Sequence, residues 1–155
     1  MGAIARLLGK EPYNNWPRSH DRFRSDMSKA AGIGVARIRC HRNTWVYLEE
    51  NVPWATVRPG TAFYPPTEDE VIPEKDGMVT VALSGTTLAA VLHFCHDIQI
   101  HLLRKAWTDL DRAIGRRVGS AISQALLNAT PSSDEDRPTT VIYLDDRIAE
   151  KVITA

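Results

Sequence analysis

The second half of the chain contains two long helical segments with a strand on either side. Residues 79–83 alternate between large apolar and smaller side chains, which predicts a strand, and residues 140–144 predict another. Between them, residues 86–105 and 108–128 have the periodicity of amphipathic helices. Each helix must bury its apolar face, so we expect both to pack on one face of a sheet.

The helical periodicity also predicts a core. Apolar residues recur three or four positions apart in both segments, with Gly115 and Gly119 beside the line of the second helix. Glycine costs about 1 kcal/mol in a helix relative to alanine, so these two glycines indicate a close approach by another backbone. Ser84 is predicted to cap the first helix. The residues expected in the core are Val81, Leu88, Val91, Leu92, Ile98, Leu102, Ile114, Val118, Ile122, Leu126, Ile142 and Leu144.

A β-hairpin is predicted over residues 33–50. Arg37, Arg39 and His41 alternate with Ile38 and Cys40, as in a half-buried strand. Asn43 and Thr44 are suited to the turn, and the run from Trp45 to Leu48 is rich in aromatic and β-branched residues.

The predicted fold class is therefore α+β. A small antiparallel or mixed sheet, made of the hairpin and two further strands, carries two long helices on one face. Residues 1–32 are predicted to form an N-terminal arm with short helices, and residues 33–155 a single domain. That domain includes a proline-rich loop at 51–78, which we expect to be irregular because proline lacks an amide donor.

Composition narrows the function without identifying it. The chain has 155 residues and 19 basic against 19 acidic side chains, so its formal net charge of zero argues against a purely electrostatic role such as coating DNA. Its two cysteines form no paired redox or zinc motif. Neither a secretory signal nor a membrane-spanning segment is apparent, which predicts a cytoplasmic protein. No nucleotide-binding or hydrolase motif is present, so we expect no cofactor and no catalytic residue.

Basic and aromatic residues in the first half are the candidate binding residues. Arginines alternating along a strand project from one face, where they can bind phosphates, and nearby aromatic rings can stack on bases. Aromatic residues in irregular segments are also common anchors of protein interfaces. The candidates for contacts with a protein partner or nucleic acid are Arg37, Arg39, Arg42, Trp45, Trp54 and Tyr64.

A histidine-rich helical segment is the remaining candidate site. His93, Asp97 and His101 are spaced four apart and share one helical face, and such side chains can ligate a divalent metal. Ligands on successive turns of one helix are about 6 Å apart, so all three do not readily reach one ion. We therefore predict that these three residues do not form a metal site. A metal-dependent enzyme built on this helix is kept as the third hypothesis, after protein binding and nucleic-acid binding.

Two segments carry a resemblance to other proteins. The segment Val79–Gly85, which precedes the helix pair, and the later segment Val141–Ile148 resemble parts of small orphan proteins encoded by phages of actinobacteria. The resemblance implies a phage-type accessory protein that binds a host or phage component. The sequence thus predicts a non-enzymatic protein-binding protein without membrane contact, with a homo-oligomer possible and nucleic-acid binding as the main alternative.

Overall fold

The computed structural model describes Trp16 and residues 19–53, 63–100, 107–127 and 140–144. Within these ranges, four helices and four strands are present. The helices are α1 (His20–Gly32), α2 (Arg42–Asn51), α3 (Gly85–Ile100) and α4 (Asp109–Leu127), and the strands are β1 (Val35–His41), β2 (Val71–Pro73), β3 (Met78–Ser84) and β4 (Thr140–Tyr143). Short 3₁₀ turns at Glu68–Glu70 and Lys75–Gly77 flank β2.

The strands form one mixed sheet in the order β2-β3-β1-β4. Strand β1 runs antiparallel to β3, with Val35 opposite Ser84, and parallel to β4, with Arg37 beside Val141. Strand β2 pairs antiparallel with the other edge of β3. The prediction of an α+β fold with a small sheet and helices is confirmed.

Helices α1, α3 and α4 pack together on one side of the sheet, and α3 is the central one. Its residues are buried around most of its circumference, because it contacts α1, α4 and the strands β1 and β3. The core side of β1 contributes Ala36, Ile38 and Cys40. The predicted core is confirmed at ten residues, each of which is 0% exposed: Val81, Leu88, Val91, Leu92, Ile98, Val118, Ile122, Leu126, Ile142 and Leu144. Ile114 is half-buried, and Leu102 lies outside the described residues.

Helix α3 begins where the sequence predicts, at a serine cap. The hydroxyl of Ser84 accepts a hydrogen bond of 3.3 Å from the backbone N–H of Thr87. The next residue, Gly85, is pressed against the turn that follows α1. A Cβ atom at Gly85 would lie 2.0 Å from the carbonyl oxygen of Ile33, so only glycine fits there without a shift of the backbone.

The prediction that another backbone closely approaches both glycines of α4 is confirmed at Gly115 and wrong at Gly119. A Cβ at Gly115 would lie 3.4 Å from the backbone carbonyl oxygen of Cys95 in α3. At Gly119 the neighbour is a side chain instead of a backbone, because the indole ring of Trp16 occupies the space 2.4 Å from the position of a Cβ. The absence of a side chain at Gly119 therefore leaves the space that the indole ring of Trp16 occupies.

The predicted hairpin at residues 33–50 is wrong in its second half. Residues Trp45–Leu48 belong to helix α2, in which Trp45 and Leu48, three positions apart, turn to the same buried side. A short apolar run does not distinguish a strand from a helix, and here tertiary packing outweighs β propensity. The expected turn is the first turn of that helix, and the side chain of His41 caps it by accepting a 3.1 Å bond from Asn43 N–H.

The hairpin of this sheet lies within the segment predicted as a proline-rich loop. Strands β2 and β3 are joined by a turn in which Asp76 and Gly77 both have positive φ, of 60° and 74°. Aspartate and glycine are the residues that hairpin turns of this backbone geometry favour. The prediction of an irregular proline-rich loop at 51–78 did not include strand β2, in which Pro73 lies on an edge of the sheet, where proline is tolerated.

Candidate functional site

The side of the sheet opposite the three packed helices carries exposed side chains. Along β1, Val35 and Arg37 are exposed and Arg39 is half-buried, whereas the residues between them point into the core. Val35, the first residue of β1, retains 54% of its accessible surface. The predicted alternation of β1, with its arginines on one face, is confirmed.

Register places the side chains that neighbour this row. Thr80, Ala82 and Ser84 of β3 lie opposite Arg39, Arg37 and Val35, respectively. On the outer strands, Val141 of β4 lies beside Arg37 and is 50% exposed, and Ile72 of β2 lies beside Thr80 and is 53% exposed. We call this surface the outer sheet face. It consists of Val35, Arg37, Arg39, Ile72, Thr80, Ala82, Ser84 and Val141.

Charge is distributed unequally across the outer sheet face. Its arginines lie on β1, whereas on the β2 side the carboxylate of Glu74 accepts a 3.0 Å hydrogen bond from the hydroxyl of Thr80. The exposed 3₁₀ turn Glu68–Glu70, which leads directly into β2, adds three more carboxylates at the start of that strand. The surface therefore has a basic row on β1, an apolar and small-residue region, and an acidic border.

The other sequence-predicted binding residues do not join this surface. Arg42 is exposed but belongs to the first turn of α2, beyond the end of β1. Trp45 is 1% exposed and packs near the ring of Phe63 at 6.3 Å, so the prediction that it stacks on a partner is wrong. Tyr64 is 69% exposed, and its backbone N–H donates to the hydroxyl of Thr87 at the start of α3. Trp54 lies outside the described residues.

The histidine-bearing helix does not present a ligand set in the part of the chain that is described. His93 and Asp97 are half-buried on α3, and His101 lies outside the described residues. No group of three potential metal ligands occurs among residues 19–53, 63–100, 107–127 and 140–144. Nearby, His96 is buried, stacks on the ring of Phe23 at 3.7 Å and meets the edge of Trp16 at 6.4 Å.

The buried polar groups form structural contacts between helices. Asp26 of α1 is 2% exposed, accepts a hydrogen bond of 2.5 Å from the Ser123 hydroxyl of α4, and pairs with Arg22 at 3.2 Å. A buried carboxylate is tolerated because these donors replace its water shell. The network therefore fastens α1 to α4.

Two potential nucleophiles have a raised pKa. Burial raises the pKa of the Cys95 thiol, which is the opposite of the lowered value that a reactive cysteine needs. The pKa of Tyr47 is raised by burial and by the 2.7 Å hydrogen bond that its hydroxyl donates to Asp111. Both groups are therefore protonated at neutral pH and serve packing and helix contacts.

The apolar part of the outer sheet face was missed by the sequence reasoning. Val35, Ile72 and Val141 are functional candidates only because their register places them around the arginines. One signal was available, since the alternation of Arg37 and Arg39 with buried neighbours applies equally to Val35. For Ile72 the signal was indirect, because the Asp76–Gly77 pair is typical of a hairpin turn but the prolines of the segment favoured the prediction of a loop.

Comparison with known proteins adds no identification: no family, no curated protein and no solved structure matches this chain. Among the described helices, none has both the length and the apolar character required to cross a membrane.

Proposed function

We propose that the chain is a non-enzymatic binding protein that engages another protein through the outer sheet face. The observation that carries the proposal is the exposure of Val35, Ile72 and Val141 around the arginines of β1. The partner is a host or phage protein, and the chain acts as a phage-type accessory protein in the cytoplasm. The resemblance of residues 79–85 and 141–148 to phage proteins supports this role.

The composition of the outer sheet face supports a protein partner. Protein interfaces combine an apolar centre with a polar rim, and arginine is enriched in them over lysine. Here Val141 and Ala82 lie on either side of Arg37, and the only cations on the strands of this face are arginines. A partner with apolar residues and carboxylates would complement both features.

A nucleic acid is less well accommodated by the same surface. Binding to a phosphate backbone requires several cations clear of negative charge. Among the residues that the structure describes, the cations of this face are Arg37 and Arg39, and Glu74 lies on its β2 side, bound to Thr80. The carboxylates of Glu68–Glu70, at the start of β2, would repel the phosphates of a nucleic acid that extended past β2.

Site-specific photo-crosslinking tests the proposal. A photoreactive amino acid is placed at position 37 or 141 on the outer sheet face and, as a control, at Gln124, which is exposed on α4. We expect one and the same protein to be crosslinked in host cells from positions 37 and 141 and not from 124. After identification it is purified and mixed with the purified chain to show that it binds directly.

Each other outcome contradicts the proposal. Crosslinking to DNA or RNA from position 37 would establish the nucleic-acid alternative. Binding in that case must weaken steeply with salt, and the combined change of Arg37, Arg39 and Arg42 to alanine must flatten the salt dependence. Crosslinking to a second copy of the chain would indicate a homo-oligomer instead of a host or phage partner. Equal crosslinking from all three positions would remove the outer sheet face as the binding surface.

A further inference from the structure

Two consecutive prolines determine the backbone conformation of residues 64–67. Tyr64 and Pro65 each precede a proline, which disfavours the helical region and favours an extended backbone for both residues. The rings of Pro65 and Pro66 fix φ at about −65°. Thr67, which follows them, has φ of −69° and ψ of 165°, close to the polyproline II values of about −75° and about 145°. We call residues 64–67 the polyproline segment.

Exposure along the polyproline segment follows the period of a polyproline II helix. Such a helix has about three residues per turn, so residues three apart lie on the same side of it. Tyr64 and Thr67 are exposed, whereas Pro65 and Pro66 between them are half-buried and the preceding Phe63 is buried. The side that carries Tyr64 and Thr67 therefore points away from the domain, and Tyr64 retains 69% of its accessible surface there.

Contacts at both ends hold the polyproline segment in place. Before it, Phe63 is 1% exposed, and the backbone N–H of Tyr64 donates a 3.2 Å hydrogen bond to the hydroxyl of Thr87. At its other end, the N–H and the hydroxyl of Thr67 donate to the carboxylate of Glu70 at 3.1 and 3.0 Å. A segment that is already fixed in an extended conformation loses little conformational entropy when a partner binds it.

Negative charge directly follows the polyproline segment. The 3₁₀ turn Glu68–Glu70 contributes three exposed carboxylates, and the sequence has no lysine, arginine or histidine between Phe63 and Glu74. A partner that binds the segment lengthwise meets these carboxylates at one end of the contact. Basic residues at that end of the partner would complement them.

From these observations we propose that the polyproline segment is a ligand for an aromatic-lined groove of a partner protein, with basic residues at the rim of that groove. Grooves of this kind recognise polyproline II helices, because the conformation is already formed and its ordering costs little entropy. Tyr64 is the anchor that inserts into the groove, and the accessible edges of Pro65 and Pro66 pack beside it. This contact is separate from the outer sheet face and does not depend on it.

Selection from a library of WW-domain variants tests the proposal without knowledge of the natural partner. Every displayed domain keeps the aromatic groove that binds polyproline II helices, and the positions at the rim of the groove vary among lysine, glutamine and glutamate. The full chain is immobilised as the target. We expect selection to enrich domains with lysine at one end of the groove. Enrichment of glutamate at the rim, or of no domain at all, would overturn the proposal.

A matched pair of variants then tests whether Tyr64 is the anchor. Tyr64→Ala removes the ring but keeps the backbone N–H that bonds to Thr87, so we expect the fold to persist in circular dichroism and the affinity of the selected domain to fall at least tenfold. Leu110→Ala removes a side chain of the same exposure, 69%, on α4 and must leave the affinity unchanged. Equal affinities for the two variants would overturn the proposal.

Two further pairs test the conformation and the charge. Pro65→Ala frees the backbone of the segment and should weaken binding at least threefold, whereas Pro53→Ala, at another exposed proline, must not. Glu68→Lys should also weaken binding at least threefold, and replacing the rim lysines of the selected domain by glutamate must restore part of the affinity. Its control is Glu50→Lys, which changes an exposed residue of α2 and must have no effect. Loss of binding in both members of either pair, or in neither, would contradict the proposal.

A variant of the outer sheet face separates this proposal from the proposed function. Val141→Lys changes that face and must leave the affinity of the selected domain unchanged. If Val141→Lys weakened binding as much as Tyr64→Ala, the domain would be bound at the outer sheet face and the proposal would fail. Failure of the crosslinking experiment at positions 37 and 141 would contradict the proposed function and leave the polyproline segment as a ligand.

Discussion

Replacing Gly85 by alanine tests the closest backbone contact in the described fold. Gly85 is the first residue of α3, directly after the serine cap, and it lies against the turn between α1 and β1. An added Cβ would be 2.0 Å from the carbonyl oxygen of Ile33 and 2.6 Å from that of Ala30. Because both neighbours are backbone atoms, no side-chain rotation can relieve the contact.

The size of the effect follows from two opposing contributions. Forcing extra atoms into a packed site costs about 1–3 kcal/mol, and backbone on two sides places this contact near the upper end. Alanine regains up to about 1 kcal/mol of helix propensity relative to glycine. We therefore expect a net loss of about 2 kcal/mol in the free energy of unfolding, which lowers Tm by about 4–8 °C for a chain of this length.

Urea denaturation followed by circular dichroism measures this loss. The control is Gly34→Ala in the same turn, where nothing lies within 4 Å of the added Cβ. We expect the control to change stability by less than about 1 kcal/mol, with a gain from the reduced freedom of the unfolded chain. If Gly85→Ala were as stable as Gly34→Ala, the described packing of α3 against the turn after α1 would be refuted.

Three further changes test the core, the buried network and the alkaline pH dependence. Leu92→Ala removes a side chain that is 0% exposed and should cost about 2–5 kcal/mol in urea denaturation. Asp26→Ala leaves the Ser123 hydroxyl buried without its acceptor and should cost about 1–3 kcal/mol, part of which Ser123→Ala in the same chain should recover in a double-mutant cycle. The raised pKa of Tyr47 means that the unfolded chain loses this proton first as the pH rises above about 10. Stability should therefore decrease above that pH, and Tyr47→Phe should reduce the decrease.

Specific results would contradict these expectations. A loss below about 1 kcal/mol for Leu92→Ala would place its side chain outside the core. Additive effects of Asp26→Ala and Ser123→Ala would show that the two groups do not interact in solution. An unchanged pH dependence in Tyr47→Phe would show that its hydroxyl is exposed to solvent and not bound to Asp111.

The helices of the second half could be predicted because their signals are local and agree with one another. Apolar periodicity over several turns identifies α3 and α4, and the hydroxyl of Ser84 marks the start of α3. The alternation of β1 and β3 likewise follows from one buried face. Leu110 is an exception, since it continues the apolar line of α4 but is 69% exposed at the first turn, where no other described element covers it.

The first half could not be predicted as well because its decisive contacts are distant in sequence. Helix α2 is fixed by the burial of Trp45 near Phe63 and by the bond from Tyr47 to Asp111, and neither partner is identifiable from the local sequence. Strand β2 is hidden by prolines, although the Asp76–Gly77 pair is a local hairpin signal that the composition of the segment obscured. The extent of the outer sheet face depends on β2, because this strand forms one edge of the sheet.

The central claim is that the outer sheet face is the binding surface, and a matched pair of variants tests it most directly. Val141→Lys changes an exposed apolar residue on this face, and Leu127→Lys changes a residue of similar exposure, 55% against 50%, at the end of α4. The affinity of the purified crosslinked partner for each variant is measured by calorimetry. We predict at least a tenfold weaker Kd for Val141→Lys and an unchanged Kd for Leu127→Lys. Equal affinities, or a loss confined to Leu127→Lys, would contradict the claim.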